Sequence, residues 1–496
     1  MQPIEHNNAG TFPEPDHIYQ RRTMIETAYS HRLVHDRTAL RSSLERASTT
    51  PFWLDHPDRP RPRATLSESI TSDLVIVGGG YCGLWTALIA KERDPSRRVV
   101  VLEANSIGYA ASGRNGGFVE ASLTHGEANG ELHFAKEMPT LGRLAAENFA
   151  AFADTLVRYG IDAEYEAEPT LTVATEPHQV PELREASKNG GGEFLEPDDL
   201  APFGTSALYR AGLLTREGNA LVHPAKLAWG LARAAEQLGV EIHEHTHVRK
   251  LERARSGVIA QTWRGSVTAQ SVALATNGFP SLLKRLQLFT VPIYDYVLMT
   301  EPLSNDQLEA IGWTERNGIT DSSREFHYYR KSADNRILFG GYDAVYHRGG
   351  TITAEHDQRP ETFERLADHF FSTFPQLSGI RFTHRWGGMI DMSTQLAAFH
   401  GATRDRRIAY SAGYTGLGVC ATRFGAETML DFLEGRDTDR TGLSMSRRLP
   451  IPIPPEPLAN PLIQTMRTAV AKSDANEGKD GVLLKAAALF GVGFDS

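Results

Sequence analysis

Short apolar runs joined by a helical segment open the most regular part of the chain. The run 73–77 reads Asp-Leu-Val-Ile-Val, the run 98–102 reads Arg-Val-Val-Val-Leu, and an apolar helix is predicted between them over 84–92. Continuous β-branched runs of this length are typical of strands that are buried on both faces of a parallel sheet. The pattern therefore predicts a complete βαβ unit within about thirty residues.

The same alternation of strand and helix returns in two later stretches. These contain a helix over 224–238, a hairpin over 257–268, strands over 240–245, 271–275 and 407–412, and a helix that ends at Leu433. The segments between them lack βαβ character, since 138–159 is predicted to be helical and 165–175 alternates like a strand. The pattern therefore predicts a nucleotide-binding fold that a second, strand-rich domain interrupts twice.

The fold class that follows is α/β, with a discontinuous Rossmann-like nucleotide-binding domain and an inserted α+β substrate domain on a mixed β-sheet. The predicted nucleotide-binding segments are 71–125, 215–285 and 381–440, and the predicted substrate-domain segments are 126–214 and 286–380. Residues 1–70 are predicted to form an extension and linker, with a helix over 23–46. Residues 441–496 are predicted to form a tail and a helix, with an extended proline-rich run over 449–457. The sequence leaves open whether the extension and the tail pack over the other domains.

Composition and charge argue against several classes of partner. The chain of 496 residues is 41% hydrophobic and 23% charged, as expected of a globular protein. A formal charge of −9 argues against nucleic acid or an anionic membrane as a partner, because both need a basic face. No apolar run approaches the roughly 20 residues of a membrane span, and residues 1–16 lack the apolar core of a signal peptide. The two cysteines, Cys82 and Cys420, have no metal-ligand spacing, so we expect a cytoplasmic protein without a metal.

A glycine-rich turn follows the first predicted strand and opens the first predicted helix. In Gly78-x-Gly80-x-x-Gly83 the glycines permit a tight turn, close approach to a pyrophosphate, and close helix–strand packing, respectively. The helix N-terminus offers free N–H groups to the phosphates. Glu103, at the end of the second strand, is placed to accept hydrogen bonds from ribose hydroxyls. The pattern predicts a dinucleotide site.

Two further loops favour FAD over NAD. The loop 104–117 is rich in small residues, which suits a backbone that lies against a long, flat cofactor. The loop 413–418 follows a predicted strand and opens another helix, whose N-terminus is placed to stabilise negative charge on a reduced flavin ring. Together with the glycine turn, these loops predict FAD.

Several blocks of the sequence resemble the D-amino-acid-oxidase-type FAD-dependent oxidoreductases, and within them the gamma-glutamylputrescine oxidase branch. The blocks are 75–87, 103–105, 111–119, 328–341, 385–388 and 414–419, and the resemblance spans roughly residues 50–435. It implies a mixed sheet that roofs a substrate pocket over the flavin. It also implies hydride transfer from a small amine or amino acid, which oxidises a C–N bond to an imine that water hydrolyses.

The candidate FAD-contacting residues combine the glycine turn, both loops and the positions that the resemblance adds. They are Gly78, Gly80, Tyr81, Cys82, Gly83, Glu103, Ala104, Ser112, Arg114, Asn115, Gly116, Gly117, Val248, Asn277, Gly388, Gly413, Thr415, Gly416, Leu417, Gly418 and Val419. The resemblance implies that the backbone of Val248 contacts the adenine, and that Gly416, Gly418 and Val419 meet the pyrimidine end of the flavin.

The sequence departs from the resembling proteins in three places. Sarcosine-oxidase relatives attach flavin through a cysteine or histidine, but no cysteine lies near 385–388, which predicts non-covalent FAD. Phe339 aligns with the oxygen-activating lysine of those relatives, so the electron acceptor is either O₂ or unknown. His327 stands where the nearest branch is expected to have an acidic residue, which leaves a polyamine substrate open.

The substrate face needs an apolar or aromatic wall, to which one charge can be added, because the flavin performs the redox chemistry on a neutral amine. The candidate catalytic residues are Tyr328, Tyr329, Arg330 and Trp386. The aromatic residues would form the wall, and Arg330 or Arg385 would hold a carboxylate through two hydrogen bonds. Packing on a strand explains the tyrosines equally well, and an ion pair explains either arginine better.

The run His-Glu-His-Thr-His at 243–247 suggests a metal site, but its geometry argues against one. Neighbouring side chains on one strand face start roughly 6.6 Å apart, too far for all three histidines to converge on one ion. A solvated strand face is the favoured interpretation. Cys82 and Cys420 are interpreted as small buried residues rather than as a redox pair.

Two alternative functions stay open. One is a flavin monooxygenase that uses NAD(P)H; the chain has no second complete glycine motif, but some monooxygenases bind the nicotinamide cofactor without one. The other is a non-catalytic flavoprotein partner, in which the N-terminal extension and the proline-rich tail are the interaction elements.

Overall fold

Two eight-stranded β-sheets form the frame of the protein in the computed structural model, which describes residues 27–29 and 32–489. Within these residues the strands are β1 (Ile70–Val77), β2 (Val99–Leu102), β3 (Phe118–Glu120), β4 (Thr170–Ala174), β5 (Glu193–Leu195), β6 (Ala211–Thr215), β7 (Asn219–Leu221), β8 (Glu241–His243), β9 (Lys250–Ala254), β10 (Gly257–Gln261), β11 (Ser266–Leu274), β12 (Val291–Thr300), β13 (Gly318–Asp321), β14 (His327–Lys331), β15 (Ile337–Gly341), β16 (Phe382–Met392), β17 (Phe399–Ala402) and β18 (Ile408–Ala412). The α-helices are α1 (Arg37–Leu44), α2 (Tyr81–Arg93), α3 (Glu127–Phe134), α4 (Met138–Arg158), α5 (Gln179–Lys188), α6 (Pro224–Gln237), α7 (Asn305–Ala310), α8 (Pro360–Thr373), α9 (Gly418–Glu434), α10 (Asp439–Gly442), α11 (Ser444–Arg447), α12 (Ala459–Asp474) and α13 (Val482–Leu489). None of these helices has the length and apolar character that crossing a bilayer requires.

The first sheet is Rossmann-like, with the strand order β17-β18-β11-β1-β2-β8 and with β10 and β9 added beside β11. The strands β1, β2, β11, β8 and β18 pair in parallel. Residues 74–77 of β1 and all of β2 are buried, as continuous apolar runs predict for strands covered on both faces. The predicted α/β class is confirmed, although the hairpin strand and the predicted strand 271–275 form one continuous strand, β11.

The second sheet is mixed, with the strand order β16-β12-β15-β14-β13-β4-β6-β5. It combines a parallel pair, β13 with β4, with antiparallel pairs such as β12 with β16. Because β16 pairs with β12 along its length, residues 382–392 belong to this sheet, and the predicted boundary at 381 is wrong. Gly387 and Gly388 lie inside β16, and glycine inside a strand weakens the sequence signal for one.

Helix α4 packs on the nucleotide-binding side rather than on the mixed sheet. Its buried Leu141 and Phe152 join the hydrophobic core that β1, α2 and α9 share. Asn148 Nδ2 donates a hydrogen bond to Cys420 O in α9 at 3.0 Å. The prediction that 126–214 belongs to the substrate domain is therefore wrong for this helix. An amphipathic pattern identifies the apolar face of a helix but not the partner that covers it.

The N-terminal extension adds to the edge of the mixed sheet. Of the predicted helix 23–46, residues 23–26, 30 and 31 lie outside the described residues, and only 37–44 of the remainder is α-helical. Ser48 N donates to Thr383 O at 2.7 Å, and Arg385 N donates to Ser48 O at 2.9 Å. These bonds make the extension a partner of β16.

Residues 449–480, the C-terminal arm, pack on the mixed-sheet side of the protein. The proline-rich run is extended, and Ile453 N donates to Leu288 O at 2.7 Å. In α12, which follows the run, Arg467 Nη2 donates to Asp343 Oδ1 at 3.1 Å, just beyond the end of β15. The tail therefore lies over the domains rather than apart from them, a point that the sequence leaves open.

Candidate cofactor and substrate cavity

The glycine turn between β1 and α2 has no room for side chains. Gly78 has φ +113°, and a Cβ at this position would lie 2.3 Å from Ala275 O. A Cβ on Gly83 would lie 1.9 Å from Gly78 O. Helix α2 begins at Tyr81 without a side-chain cap at Gly80, so its first N–H groups have no helical partners. The turn therefore combines a close backbone approach with N–H donors, as a pyrophosphate requires.

Glu103 lies beside the turn, and backbone groups orient its carboxylate. Its Oε2 accepts from Gly79 N at 2.6 Å, and its Oε1 accepts from Asn105 N at 2.7 Å. Burial raises the pKa of this carboxyl, and the backbone hydrogen bonds oppose that shift. Each oxygen has a further lone pair, so the geometry leaves acceptors for ribose hydroxyls.

The loop after β2 folds back over the turn. Ser112 Oγ accepts from Tyr81 N at 2.9 Å. Arg114 Nη1 donates to Gly387 O at 2.9 Å and pairs with Asp357 at 2.5 Å. Arg114 therefore connects the loop to β16. Its side chain forms part of the cavity wall, and Asp357 neutralises its charge.

Two buried indoles hold the same loop. Trp53 Nε1 donates to Asn115 O, and Trp386 Nε1 donates to Arg114 O, both at 2.9 Å. Trp386 is fully buried and is not part of the cavity wall, so its predicted place in the substrate wall is wrong. Side chains alternate along β16, and the face that carries Trp386 and Gly388 packs against the loop.

The loop 413–418 forms a second sharp turn, before α9. Its left-handed residues are Gly413, Thr415 and Gly416, with φ of +78°, +51° and +93°. Asp391 Oδ2 accepts from Gly413 N at 2.5 Å, which fixes the loop to the end of β16. Helix α9 starts at Gly418 without a side-chain cap, and this N-terminus lines the cavity, where it favours an anionic group.

The buried Asp391 gives a pH-dependent prediction. Burial raises the pKa of its carboxyl from 3.8 to about 7, although backbone N–H groups oppose the shift. The folded protein then binds this proton more tightly than the unfolded chain. We therefore expect Asp391 to lower the free energy of unfolding of the FAD-free protein as the pH rises from about 4 to about 7, by up to roughly 4 kcal/mol.

Urea unfolding at four pH values from 4 to 8 measures this effect. The variant Asp391→Asn keeps an acceptor for Gly413 N but cannot ionise, so its stability is expected to fall less over this range than that of the wild type. Identical pH dependence in the two proteins would contradict the assignment.

One cavity of about 1770 Å³ joins these parts. The predicted cofactor residues on its wall are Gly78, Gly80, Tyr81, Cys82, Glu103, Ala104, Ser112, Arg114, Asn115, Gly116, Gly117, Val248, Asn277, Gly388, Thr415, Gly416, Leu417, Gly418 and Val419. Gly83 and Gly413 lie behind the wall. The cavity exceeds the roughly 300–1,000 Å³ of a pocket for one drug-sized ligand, so it has room for a dinucleotide and a substrate. With its glycine turn and the N-termini of α2 and α9, it fits FAD.

Tyr328 is the predicted substrate-side residue that reaches the cavity. Its hydroxyl donates to Asp295 Oδ2 at 2.5 Å, and its ring meets Phe118 edge-on with the centroids 5.9 Å apart. Burial raises the pKa of Asp295 to about 6, while the bond from Tyr328 opposes the shift. The wall therefore contains two aromatic rings and a buried carboxyl that orients one of them.

Tyr329 points to the opposite face of the mixed sheet. Its hydroxyl bonds with that of Tyr209 at 2.6 Å, and its ring stacks on Phe339 with the centroids 5.1 Å apart. Successive side chains of a strand alternate between its faces, so Tyr328 and Tyr329 cannot both face one cavity. The prediction for Tyr329 is wrong.

Neither candidate arginine reaches the cavity. Arg330 is buried, its Nη1 donates to Val222 O at 2.7 Å, and burial lowers its pKa to about 10. The guanidinium of Arg385 lies 5.6 Å from the ring centroid of Phe363. Neither side chain is part of the cavity wall, so the prediction that one of them holds a substrate carboxylate is wrong.

Two positions at which the sequence departs from the resembling proteins also lie off the cavity. His327 bonds through Nδ1 with Asp321 at 2.7 Å and through Nε2 with His369 at 2.9 Å. Phe339 packs against Phe370 in the core of the mixed sheet. Neither side chain is part of the cavity wall, although Asp321, to which His327 is bonded, is part of it.

The histidine run 243–247 does not form a strand face. Strand β8 ends at His243, and His245 has φ +50°. Glu244 is buried and accepts from Ile107 N at 2.6 Å. The strand interpretation is therefore wrong beyond His243, because the chain turns there to bring Glu244 under the loop after β2.

A different trio has the spacing of metal ligands. The ligand atoms of His56, Glu164 and His223 lie within 4.8 Å of one another. However, Lys226 Nζ donates to Glu164 Oε1 at 2.7 Å, so a cation already occupies the partner position of this carboxylate. The trio is accounted for without an ion.

Sequence reasoning missed several parts of the cavity wall, of which two matter most for the substrate side. One is Glu120 in β3, and the other is the C-terminal arm, which contributes Ile453, Leu462, Ile463, Met466, Arg467 and Val470. A charge in an otherwise apolar three-residue strand is a signal for the first, and the helical spacing of apolar residues in α12 is a signal for the second. Neither signal identifies the surface that the residues face.

Known proteins are similar to this chain in sequence and in fold. The family profile described as DAO, FAD dependent oxidoreductase, matches residues 73–431. Gamma-glutamylputrescine oxidoreductase of Escherichia coli is 32% identical over 406 residues, which are 79% of this chain and 90% of that protein. Sarcosine oxidase subunit beta of Rhizobium meliloti is 28% identical over 71% of this chain and 81% of that protein. The crystal structure of glycine oxidase from Bacillus cereus superposes with a TM-score of 0.62 at 20% identity, covering 77% of this chain and 98% of that one.

Proposed function

This chain belongs to the DAO family of FAD-dependent oxidoreductases, and on that premise we propose that it oxidises the C–N bond of a small amine or amino acid to an imine, which water hydrolyses. The similarity to gamma-glutamylputrescine oxidoreductase supports an amine as the substrate. The observation that carries the proposal is the single cavity, which extends from the glycine turn at Gly78 to the aromatic wall at Tyr328.

FAD would be held by the cofactor residues that the sequence predicts. The glycine turn and Glu103 suit the adenosine diphosphate, residues 112–117 suit the flavin side, and residues 415–419 with the N-terminus of α9 suit the pyrimidine end. When bound, FAD would supply the redox chemistry as a two-electron acceptor, and the final electron acceptor would be O₂ or another compound.

The residues of the chain position the substrate and shield it from water. Phe118 and Tyr328 present an aromatic wall, and Asp295 fixes the Tyr328 ring through its hydroxyl. An amine releases hydride from its neutral form. Burial in an apolar wall favours that form, because desolvation lowers the pKa of an ammonium group.

Non-covalent attachment of FAD is a testable part of this proposal. Burial raises the pKa of Cys82 and of Cys420 to about 12, so both thiols stay protonated at neutral pH and are poor nucleophiles. We expect acid precipitation to release all of the flavin into the supernatant and to leave a polypeptide of unmodified mass. Yellow colour that stays with the pellet would contradict this.

An anaerobic screen tests the reaction itself. The FAD-loaded protein is mixed with polyamines, gamma-glutamyl-amines, N-methyl amino acids and ordinary amino acids, and the loss of flavin absorbance is followed. Bleaching by at least one amine or amino acid supports the proposal. Rapid bleaching by NADPH alone would favour a monooxygenase, and no bleaching by any compound would favour a non-catalytic flavoprotein.

A further inference from the structure

Glu120 is a half-buried carboxylate of the cavity wall that has no counter-charge among the described residues. It lies on β3, three residues after Gly117, and its side chain faces the cavity. Burial raises the pKa of this carboxyl, with no contribution from a neighbouring charge or hydrogen-bond donor among the described residues. A ligand that fills the cavity would remove water from this carboxylate, which is unfavourable without a partner, so the position suits a ligand that brings a positive charge.

The basic side chains of the wall are neutralised or exposed. The ion pairs are Arg114 with Asp357, Arg324 with Asp480 and Arg467 with Asp343, and the exposed groups are His247, Arg249, Lys250 and Lys284. His125 also lines the cavity, and burial lowers its pKa, so its ring is neutral at pH 7. A substrate carboxylate therefore meets no unpaired buried cation here, whereas a substrate ammonium meets Glu120.

We propose that Glu120 binds a positively charged nitrogen of the substrate other than the nitrogen that is oxidised, so that the substrate is a diamine or another amine with a second cation. This inference rests on the proposed amine oxidation. The reacting nitrogen is neutral, which leaves a second nitrogen to pair with the carboxylate. The pairing favours the ionised form of Glu120. Phe118, two residues earlier on the same face of β3, lines the cavity and offers an aromatic surface to the alkyl chain between the nitrogens.

A matched pair of probes tests the proposal on the FAD-loaded protein. The probes are 1,4-diaminobutane and butylamine, which differ only in the second nitrogen. Each is mixed anaerobically at a series of concentrations. Its half-saturation concentration is read from the rate of flavin bleaching where the probe reduces the flavin, and from the perturbation of the spectrum where it does not. We expect the wild type to bind the diamine about thirty-fold or more tightly than the monoamine, as a desolvated charge pair implies.

The variant Glu120→Gln removes the charge and keeps the shape of the side chain. Its preference for the diamine is expected to fall below about threefold, with the half-saturation concentration of butylamine unchanged. Glu120→Asp, which keeps the charge, is expected to retain part of the preference. Glu131→Gln, on the exposed face of α3, is the control for a change in net charge and is expected to behave as the wild type.

Three results would overturn the inference. The first is a wild type that binds both probes equally, and the second is a Glu120→Gln protein that keeps the preference. The third is a variant that weakens both probes to the same extent, because Glu120 would then act on the reacting nitrogen. If Glu120→Gln does not load FAD, the wild type still tests the inference, because equal binding of the diamine and the monoamine would overturn it. These results concern the second nitrogen alone, whereas failure of every amine and amino acid to reduce the wild-type flavin would reject the proposed function.

Discussion

Replacement of Gly83 by alanine is expected to yield a protein that does not retain FAD. A Cβ at this position would lie 1.9 Å from Gly78 O, and real Cβ atoms essentially never come within 3.0 Å of another heavy atom in this way. The contacted atom belongs to the backbone of the glycine turn, so no side-chain rotation relieves the clash. Helix α2 must therefore move away from β1 by about 1 Å, and protein interiors are too densely packed to absorb such a shift without loss.

The displacement acts directly on the cofactor. Gly78 and the first N–H groups of α2 form the surface on which a pyrophosphate would rest, and overpacking of this kind costs about 1–3 kcal/mol. We expect the purified variant to contain less than about a tenth of the wild-type flavin, which corresponds to at least about 1.4 kcal/mol of lost binding free energy. The ratio of absorbance at 450 and 280 nm measures the content, and titration with added FAD measures the affinity.

Gly142→Ala is the matched control. Gly142 lies on the exposed side of α4, and a Cβ there would meet nothing within 4 Å. Alanine in a helix is favoured over glycine by up to about 1 kcal/mol, so this variant is expected to be slightly more stable and to carry full FAD. Full FAD content in Gly83→Ala would mean that the close approach of helix and strand does not determine binding.

The glycine turn shows why the cofactor side of the cavity could be predicted from sequence. The strand, the three glycines and the helix are consecutive in the sequence. Glu103 follows directly after the next strand. Local spacing therefore fixes the local geometry, and the predicted cofactor residues lie on one wall. The two exceptions, Gly83 and Gly413, act through backbone packing rather than through contact with the cavity.

The substrate side of the cavity depends on contacts between segments that are far apart in the sequence. Tyr328 and Tyr329 are neighbours in sequence, but strand alternation places them on opposite faces, and only the position of the sheet decides which of them reaches the cavity. Trp386 lies in a strand whose glycine pair resembles a loop, and its indole supports the flavin-side loop rather than the substrate. The carboxylate of Glu120 has no partner among residues 27–29 and 32–489, which is a property of the folded cavity and not of the sequence.

The C-terminal arm is the part of the wall that lies beyond the family match, which ends at residue 431. Leu462, Met466 and Val470 follow one another at four-residue intervals in α12, so one face of the helix lines the cavity. Arg467 and Asp474 are among the residues that anchor this helix. Arg467 donates to Asp343 at 3.1 Å, and Asp474 accepts from the backbone N–H groups of residues 324 and 325 at 3.1 and 3.0 Å.

We expect the double variant Arg467→Ala, Asp474→Ala to open this wall without unfolding the protein. Asp343 keeps ion pairs with Arg359 and Arg365, so removal of Arg467 leaves no unpaired buried charge. Hydrogen bonds to charged groups contribute about 1.5–3 kcal/mol each, so their loss should raise the open population of the helix by more than tenfold. Iodide should then quench the fluorescence of the bound flavin more strongly, and the KM for an amine substrate should rise more than kcat changes.

Thr468→Ala, on the exposed side of the same helix, is the control and should leave quenching and KM unchanged. If the double variant resists iodide as well as the wild type does, the arm is held mainly by its proline-rich run, and deletion of residues 449–480 is the stronger test. If quenching rises while KM stays constant, the arm shields the flavin but does not contact the substrate. An increase in both quantities is expected, because the apolar face of α12 and the aromatic wall at Tyr328 line the same cavity. The arm would then contribute a substrate wall from residues that lie beyond the family match.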